Sequence, residues 1–189
     1  MTLRIAVGTS TIELVEGDIT RQQVDAIVNA ANAQLAGGGG VDGAIHRVGG
    51  STIMTECRKI GGCPTGRAVA TNAGMLDAEK VIHAVGPVYR DGRQGEAEQL
   101  ASAYSSAFGL AEELGLRTLA VPSLSTGAYG YPMEEAARVA LNTAIDFLRE
   151  HRGVDLIRFV LLGSESFNVF RRTLEEAAPT QRLPRPGAS

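Results

Sequence analysis

The sequence predicts an α/β fold: a three-layer α/β/α sandwich around a mixed, largely parallel sheet. Three observations carry this. Strand-like and helix-like patterns alternate along the chain, as they do where crossover helices join parallel strands. The first two strand patterns are only three residues apart, so they pair antiparallel and make the sheet mixed. The 189 residues suit one domain with one substantial core.

The elements follow in order. TLRIAV (2–7) and TIELVE (11–16) alternate apolar and polar residues and form a hairpin across Gly8, Thr9 and Ser10. DAIVNAA (25–31) reads as a buried strand, as do GRAVATNA (66–73), KVIHAVG (80–86), RTLAVPS (117–123) and LIRFVLLG (156–163). A helix begins over Asp42–Ile45, directly behind four glycines, Gly37 to Gly40. Leu100, Tyr104, Ala107, Ala111 and Leu114 lie on one helical stripe, and Ala137, Leu141, Ala144 and Leu148 on another. A last helix starts near Ser164. The tail PTQRLPRPGAS (179–189) is Pro-rich with little to bury and is expected to be disordered, leaving residues 1–178 as the domain.

Composition narrows the function. A formal net charge of −3 and a pI near 5.7 argue against general affinity for nucleic acid or anionic membranes. No apolar run approaches the ~20 residues needed to span a bilayer. The N-terminus is too short and polar for a signal peptide. The two cysteines, Cys57 and Cys63, give no disulfide framework, and a cytoplasmic location is expected. The three histidines, His46, His83 and His151, are scattered in sequence, so no metal site is expected.

In α/β sheets ligands bind beyond the carboxyl ends of the strands. Two loops there are rich in glycine or hydroxyls, Gly37–Gly40 and Ser123–Gly130, and each leads into a helix. Small residues let backbone N–H groups approach a ligand, and the helix start favours negative charge. Two anion-binding loops suit a diphosphate. The pattern GxxxxGK[ST] is absent, which argues against triphosphate transfer, and Gly38–Gly40 follow a third strand, a poor fit to the dinucleotide fingerprint. By position alone Asp42 reads as a helix cap, His83 as a satisfied core histidine, His46 as a support for the loop beside Asp42, and Asn29 as a strand-end residue supporting the loop.

The stretches EGDIT (16–20), VDAIVNAAN (24–32), GGGGVDGAIH (37–46), GCPTGRAVAT (62–71), VIHAVGPV (81–88) and PSLSTGAYGYP (122–132) resemble the macrodomain family, specifically its MacroD-type branch of ADP-ribosyl hydrolases. The resemblance covers roughly residues 2 to 177. It implies that Asp18 accepts a hydrogen bond from the adenine amino group, with the Ile19 backbone beside it and Phe167 either against the adenine or in the core. It places Gly39, Gly40 and Val41 along the diphosphate and distal ribose, and Ser125, Thr126, Gly127, Ala128 and Tyr129 in a second phosphate loop. Asn32 then contacts the distal ribose and Asp42 is tied to hydrolysis. Each assignment makes chemical sense: an ionised Asp is acceptor-only, a neutral Asn both donates and accepts, and a carboxylate near the ribose can orient or deprotonate water. Three positions depart from the family pattern: Asp77 where proline is common, Gly74 where many members have an aromatic, and Ala128 where a bulkier aliphatic is usual.

The resemblance implies binding of ADP-ribose and hydrolysis of the ester between mono-ADP-ribose and acidic side chains, with deacetylation of O-acetyl-ADP-ribose by the same chemistry and no cofactor. Partners would be ADP-ribosylated proteins and O-acetyl-ADP-ribose, and nucleic acid only where ADP-ribosylated. The alternative is a non-catalytic module that only holds ADP-ribose. Phosphatase action or cleavage within the polymer ranks lower, because the paired Glu134–Glu135 lies on a helix behind the second loop and not on a Gly-rich loop.

Overall fold

The computed structural model describes residues 1–178. The tail expected to be disordered lies outside these residues. Seven strands and five α-helices alternate as β1 (Thr2–Val7), β2 (Ser10–Glu16), β3 (Ala26–Ala30), α1 (Gly40–Gly49), α2 (Ser51–Ile60), β4 (Ala68–Asn72), β5 (Lys80–Ala84), α3 (Glu96–Glu113), β6 (Thr118–Val121), α4 (Met133–Glu150), β7 (Leu156–Leu161) and α5 (Ser164–Ala177). A short 3-10 turn, Ile19–Arg21, follows β2. The helix α2 was not anticipated. Gly50, at φ 86°, ends α1 and restarts the chain at once into a new helix.

The strands form one sheet in the order β1-β2-β7-β6-β3-β5-β4. The central five run parallel. The expected hairpin forms one antiparallel edge, Thr2 opposite Val15 through Val7 opposite Ser10. The other edge is antiparallel too, with Ala68 opposite Ala84 and Asn72 opposite Lys80.

Side chains alternate between the two faces, as a pleated strand requires. Ala26 and Val28 of β3, Ile82 of β5, Leu119 and Val121 of β6, and Ile157 and Phe159 of β7 join the larger core with α3, α4 and α5. Ile27, Val81, Ala120 and Val160 point the other way, into a smaller core with Ile45 of α1 and Ile53 and Cys57 of α2. The sheet is therefore covered on both sides, as parallel strands demand.

This topology places a crevice. The chain leaves β3 toward α1 on the smaller-core face and leaves β6 toward α4 on the opposite face. The two strands are neighbours, so their exits diverge at a topological switch point. The ladder between them reaches only Ile27 opposite Ala120, whereas β3 stays paired with β5 to Ala30 opposite Ala84. Beyond Ile27 the sheet has a gap at its carboxyl end, flanked by the loops after β2, β7, β6 and β3.

Candidate active site

At one end of the crevice, Asp18 caps the 3-10 turn. Its Oδ1 accepts from the Thr20 N–H at 2.9 Å and the Thr20 hydroxyl at 2.7 Å. The Thr20 hydroxyl first, then its N–H and the Arg21 and Arg47 charges, hold the Asp18 carboxyl below the usual carboxylate range against a modest burial penalty. Asp18 is half-exposed, and its Oδ2 keeps only a 3.9 Å contact with the Arg21 Nε. Ile19 behind it is buried in the smaller core. Phe167, in the first turn of α5, is 2% exposed and belongs to the larger core. Of its two expected positions, the ring therefore takes the core one and does not stand free in the crevice.

The glycine loop ends at α1. Gly39 is the cap residue and supplies no side-chain acceptor, so the first-turn N–H groups have no side chain bonded to them from the cap. Gly40 has φ 58°, and a Cβ built on Gly39 or Gly40 would meet nothing within 4 Å. Both positions face open space where a ligand fits. Val41 is half-buried against the smaller core. Asn32 spans its own loop: its Nδ2 donates to the Gly37 carbonyl at 2.9 Å, and its Oδ1 accepts from the Ala36 N–H at 3.0 Å. One amide hydrogen and one lone pair remain on a side chain whose orientation is already fixed.

The second loop, after β6, is held by its own bonds. The Tyr131 N–H donates to the Ser125 carbonyl, and the Tyr89 N–H to the Tyr129 carbonyl, each at 2.9 Å. Thr126 donates its hydroxyl to the Ser123 carbonyl at 3.1 Å. Ser125 sits at φ 66°, a left-handed conformation a serine adopts only when its surroundings impose it. Its buried hydroxyl has no partner among the described residues, and a Cβ at Gly86 would collide with it. Gly127 and Ala128 are exposed and Tyr129 is half-buried. Nothing lies within 4 Å of a Cβ at Gly127, so this loop too is open on one side.

Asp42 is not a cap. It sits inside α1, 6% exposed, with its carboxylate turned toward the sheet. Its Oδ1 accepts from Asn29 Nδ2 at 2.8 Å and lies 3.2 Å from His46 Nε2. Its Oδ2 lies on the side of Gly38, 3.4 Å from where a Cβ on that glycine would be. One oxygen is thus tied to the protein and the other faces the loop. Gly43 makes this possible, since a Cβ there would come 2.6 Å from the Gly38 carbonyl oxygen.

Behind Asp42 lies a buried polar cluster that the sequence did not reveal. Asn29, 0% exposed, also places its Nδ2 3.0 Å from His83 Nδ1. His83 Nε2 is 2.9 Å from the Thr71 hydroxyl and 3.7 Å from the Cys57 sulfur. Asn29 and His83 are register partners on β3 and β5. Burial, with a smaller contribution from His46, pushes the His83 pKa down to about 4. The expected core histidine is therefore present, but it belongs to the site.

The histidines scattered in sequence are not all scattered in space. Donor atoms of His46, Cys57 and His83 lie within 4.8 Å of one another, a spacing open to a metal ion. The hydrogen bonding opposes that use. Both His83 nitrogens are engaged, by Asn29 and Thr71. Burial first, then the Asp42 charge, pushes the Cys57 thiol up and away from the thiolate that metals bind. No helix among the described residues is long and apolar enough to cross a membrane.

The profile of the Macro domain family matches residues 28–140. The chain is 48% identical over 172 residues to an O-acetyl-ADP-ribose deacetylase of Salmonella gallinarum, covering 89% of this chain and 96% of that protein. It is 52% identical over 169 residues to a macro domain-containing protein of Caldanaerobacter subterraneus, covering 87% and 96%. Among solved structures, the Oceanobacillus iheyensis macrodomain with ADP superposes with a TM-score of 0.91 at 36% identity, covering 95% of this chain and 97% of that one. The Trypanosoma brucei macrodomain in complex with ADP-ribose gives a TM-score of 0.80 at 41% identity, covering 85% and 68%.

Proposed function

This chain belongs to the macro domain family, and from that premise we propose that it binds ADP-ribose in the crevice and hydrolyses the ester linking mono-ADP-ribose to acidic side chains, and equally the acetyl ester of O-acetyl-ADP-ribose. The observation that carries the reading is Asp42: a carboxylate 6% exposed, anchored through one oxygen and presenting the other beside the open glycine loop. A module that only held ADP-ribose has no evident need to bury a carboxylate near a phosphate loop, where like charges repel.

In this reading the adenine lies at Asp18, whose Oδ2 accepts from the exocyclic amine, with the Ile19 main chain alongside and Phe167 as the core wall beneath. The diphosphate runs between the first-turn N–H groups of α1, at Gly39, Gly40 and Val41, and the backbone of Ser125, Thr126, Gly127, Ala128 and Tyr129. The distal ribose meets the remaining donor and acceptor of Asn32. Asp42 orients a water or takes a proton from it. Water adds across the ester: its oxygen bonds to the acyl carbon, the acyl–oxygen bond to ribose breaks, and the ribose oxygen takes up a proton. The products are ADP-ribose and a free carboxylic acid. ADP-ribosylated proteins and O-acetyl-ADP-ribose are the substrates that this geometry suits.

The test uses a protein carrying single ADP-ribose units on acidic residues, incubated with the wild type and with Asp42→Ala. Release of ADP-ribose is followed by mass, and binding of free ADP-ribose by calorimetry. Release by the wild type alone, with both proteins binding, is expected. No release by either, with tight binding by both, would make this protein a reader of the modification.

A further inference from the structure

We propose that His83, acting through Asn29, is a positioning residue for this hydrolysis: its Nδ1 lone pair fixes which way the Asn29 amide faces, and that amide holds the Asp42 carboxylate in place. The inference rests on the hydrolytic reading above and extends it to a residue on the far side of Asp42.

The argument is one of hydrogen-bond direction. The Asn29 nitrogen lies 2.8 Å from Asp42 Oδ1 and 3.0 Å from His83 Nδ1. It has two hydrogens, one for each. A half-turn of the amide would set its oxygen against a carboxylate on one side and a ring lone pair on the other. His83 enforces this orientation only while Nδ1 is bare, which puts the ring proton on Nε2. Nε2 lies 2.9 Å from the Thr71 hydroxyl oxygen, and that hydroxyl donates its own hydrogen to the Asn72 carbonyl at 2.9 Å. Thr71 can therefore accept from Nε2, and Asn29 donates both ways, to Asp42 on one side and into the His83–Thr71–Asn72 chain on the other, so that every bond between Asn72 and Asp42 pairs a donor with an acceptor.

The arrangement carries a cost that packing does not explain. With both hydrogens committed, the Asn29 oxygen is buried and has no partner among the described residues. A buried polar atom left bare forfeits its hydration with nothing in return. An apolar residue at this position in a strand covered on both faces would avoid that cost. What the amide supplies is a fixed acceptor geometry for Asp42: Oδ1 is held from the sheet by Asn29 and faces His46 on its own helix, and Oδ2 is left beside Gly38.

The experiment compares His83→Leu, His83→Asn and Thr71→Val with the wild type in release of ADP-ribose from an ester-modified protein, in ADP-ribose affinity and in melting temperature. The Asn Oδ1 falls where the His Nδ1 lies and can accept from Asn29; Leu cannot. His83→Leu is expected to lower kcat by ~10- to 100-fold, as small misplacements of a reacting group do, with Kd for ADP-ribose within about threefold. His83→Asn should recover most of that loss. In the wild type, long-range proton–nitrogen NMR should show His83 protonated at Nε2. Thr71→Val, which removes the Nε2 partner, should lower kcat by a smaller factor and weaken that preference. A kcat for His83→Leu near that of the wild type, turnover and affinity falling together without rescue by Asn, or an Nδ1-protonated His83 would each overturn the proposal. If His83→Leu does not fold, the wild-type tautomer and Thr71→Val decide. A wild type that releases nothing would sink the hydrolytic reading, and this role with it. An active wild type with an indifferent His83→Leu sinks this role alone.

Discussion

Two glycines close together in sequence are needed for different reasons. At Gly40, φ is 58° and a Cβ would project into open space. Gly40→Ala is expected to fold, to lose ~1–2 kcal/mol of stability from the left-handed backbone, and to lose ADP-ribose affinity because the methyl occupies the ligand's space. At Gly43 a Cβ would press 2.6 Å from the Gly38 carbonyl oxygen, which is backbone and does not yield cheaply. Gly43→Ala should shift the glycine loop off α1, at ~1–3 kcal/mol in stability, and weaken binding by a different route. Calorimetric titration with ADP-ribose beside urea denaturation separates the two: affinity falls in both, but stability falls further at Gly43. Periodicity marked the loops at the strand ends, and the resemblance to the macrodomain family singled out the residues within them. Asn29 was not, because its meaning depends on partners 13 and 54 residues away. A polar residue inside the apolar run AIVNAA (26–31) was the available signal, and only the sheet register showed what it faced.

Among the elements, alternation of pattern fixed all seven strands to within a few residues, because strands buried on both faces leave long apolar runs. The sequence did not disclose α2, since the break from α1 rests on a single glycine in a conformation that composition does not report. Nor did it disclose the second antiparallel edge, where the turn between β4 and β5 contains a glycine but no short hairpin dipeptide. Phe167 illustrates how an element settles an ambiguity. Its place in the first turn of α5 suited either the ligand or the core, and the packing of α5 on the sheet puts it in the core at 2% exposure. Phe167→Ala should therefore cost ~3–5 kcal/mol of stability by leaving a cavity, measured as a shift in the urea midpoint, whereas Phe167→Leu should cost clearly less.

At the scale of the whole molecule, His83 couples stability to pH. Its pKa falls from 6.5 to about 4 on folding. Between those values the unfolded chain binds a proton that the folded chain refuses, so stability rises with pH across the window. The contribution is complete above about pH 6.5 and is lost as pH falls toward 4, a change of roughly 3 kcal/mol for this one group. The titratable groups around it are Asp42 and His46 from α1 and Cys57 from α2; its neighbours on β3 and β4, Asn29 and Thr71, carry no charge. Asp18, Glu56, Glu112 and Asp155 have carboxyls held below their usual range, and such groups begin to give up stability at the acid end of this window, as pH falls through their unfolded values of 4.5 and 3.8, and continue below it. Urea midpoints from pH 7 to 4 should slope downward in the wild type and flatten in His83→Asn. The two-sided sheet has a consequence of its own. The proposed reacting groups hang from the smaller core through α1, while at the proposed adenine end Ile19 belongs to that same smaller core and Phe167 and α5 to the larger. A ligand lying across the strand ends would then act as a rivet through two leaves. Adenosine alone should slow amide exchange in the Ile19 turn and in α5, one segment from each leaf, and ADP-ribose should extend the slowing to α1, so the ligand would be felt as a stiffening that crosses the sheet.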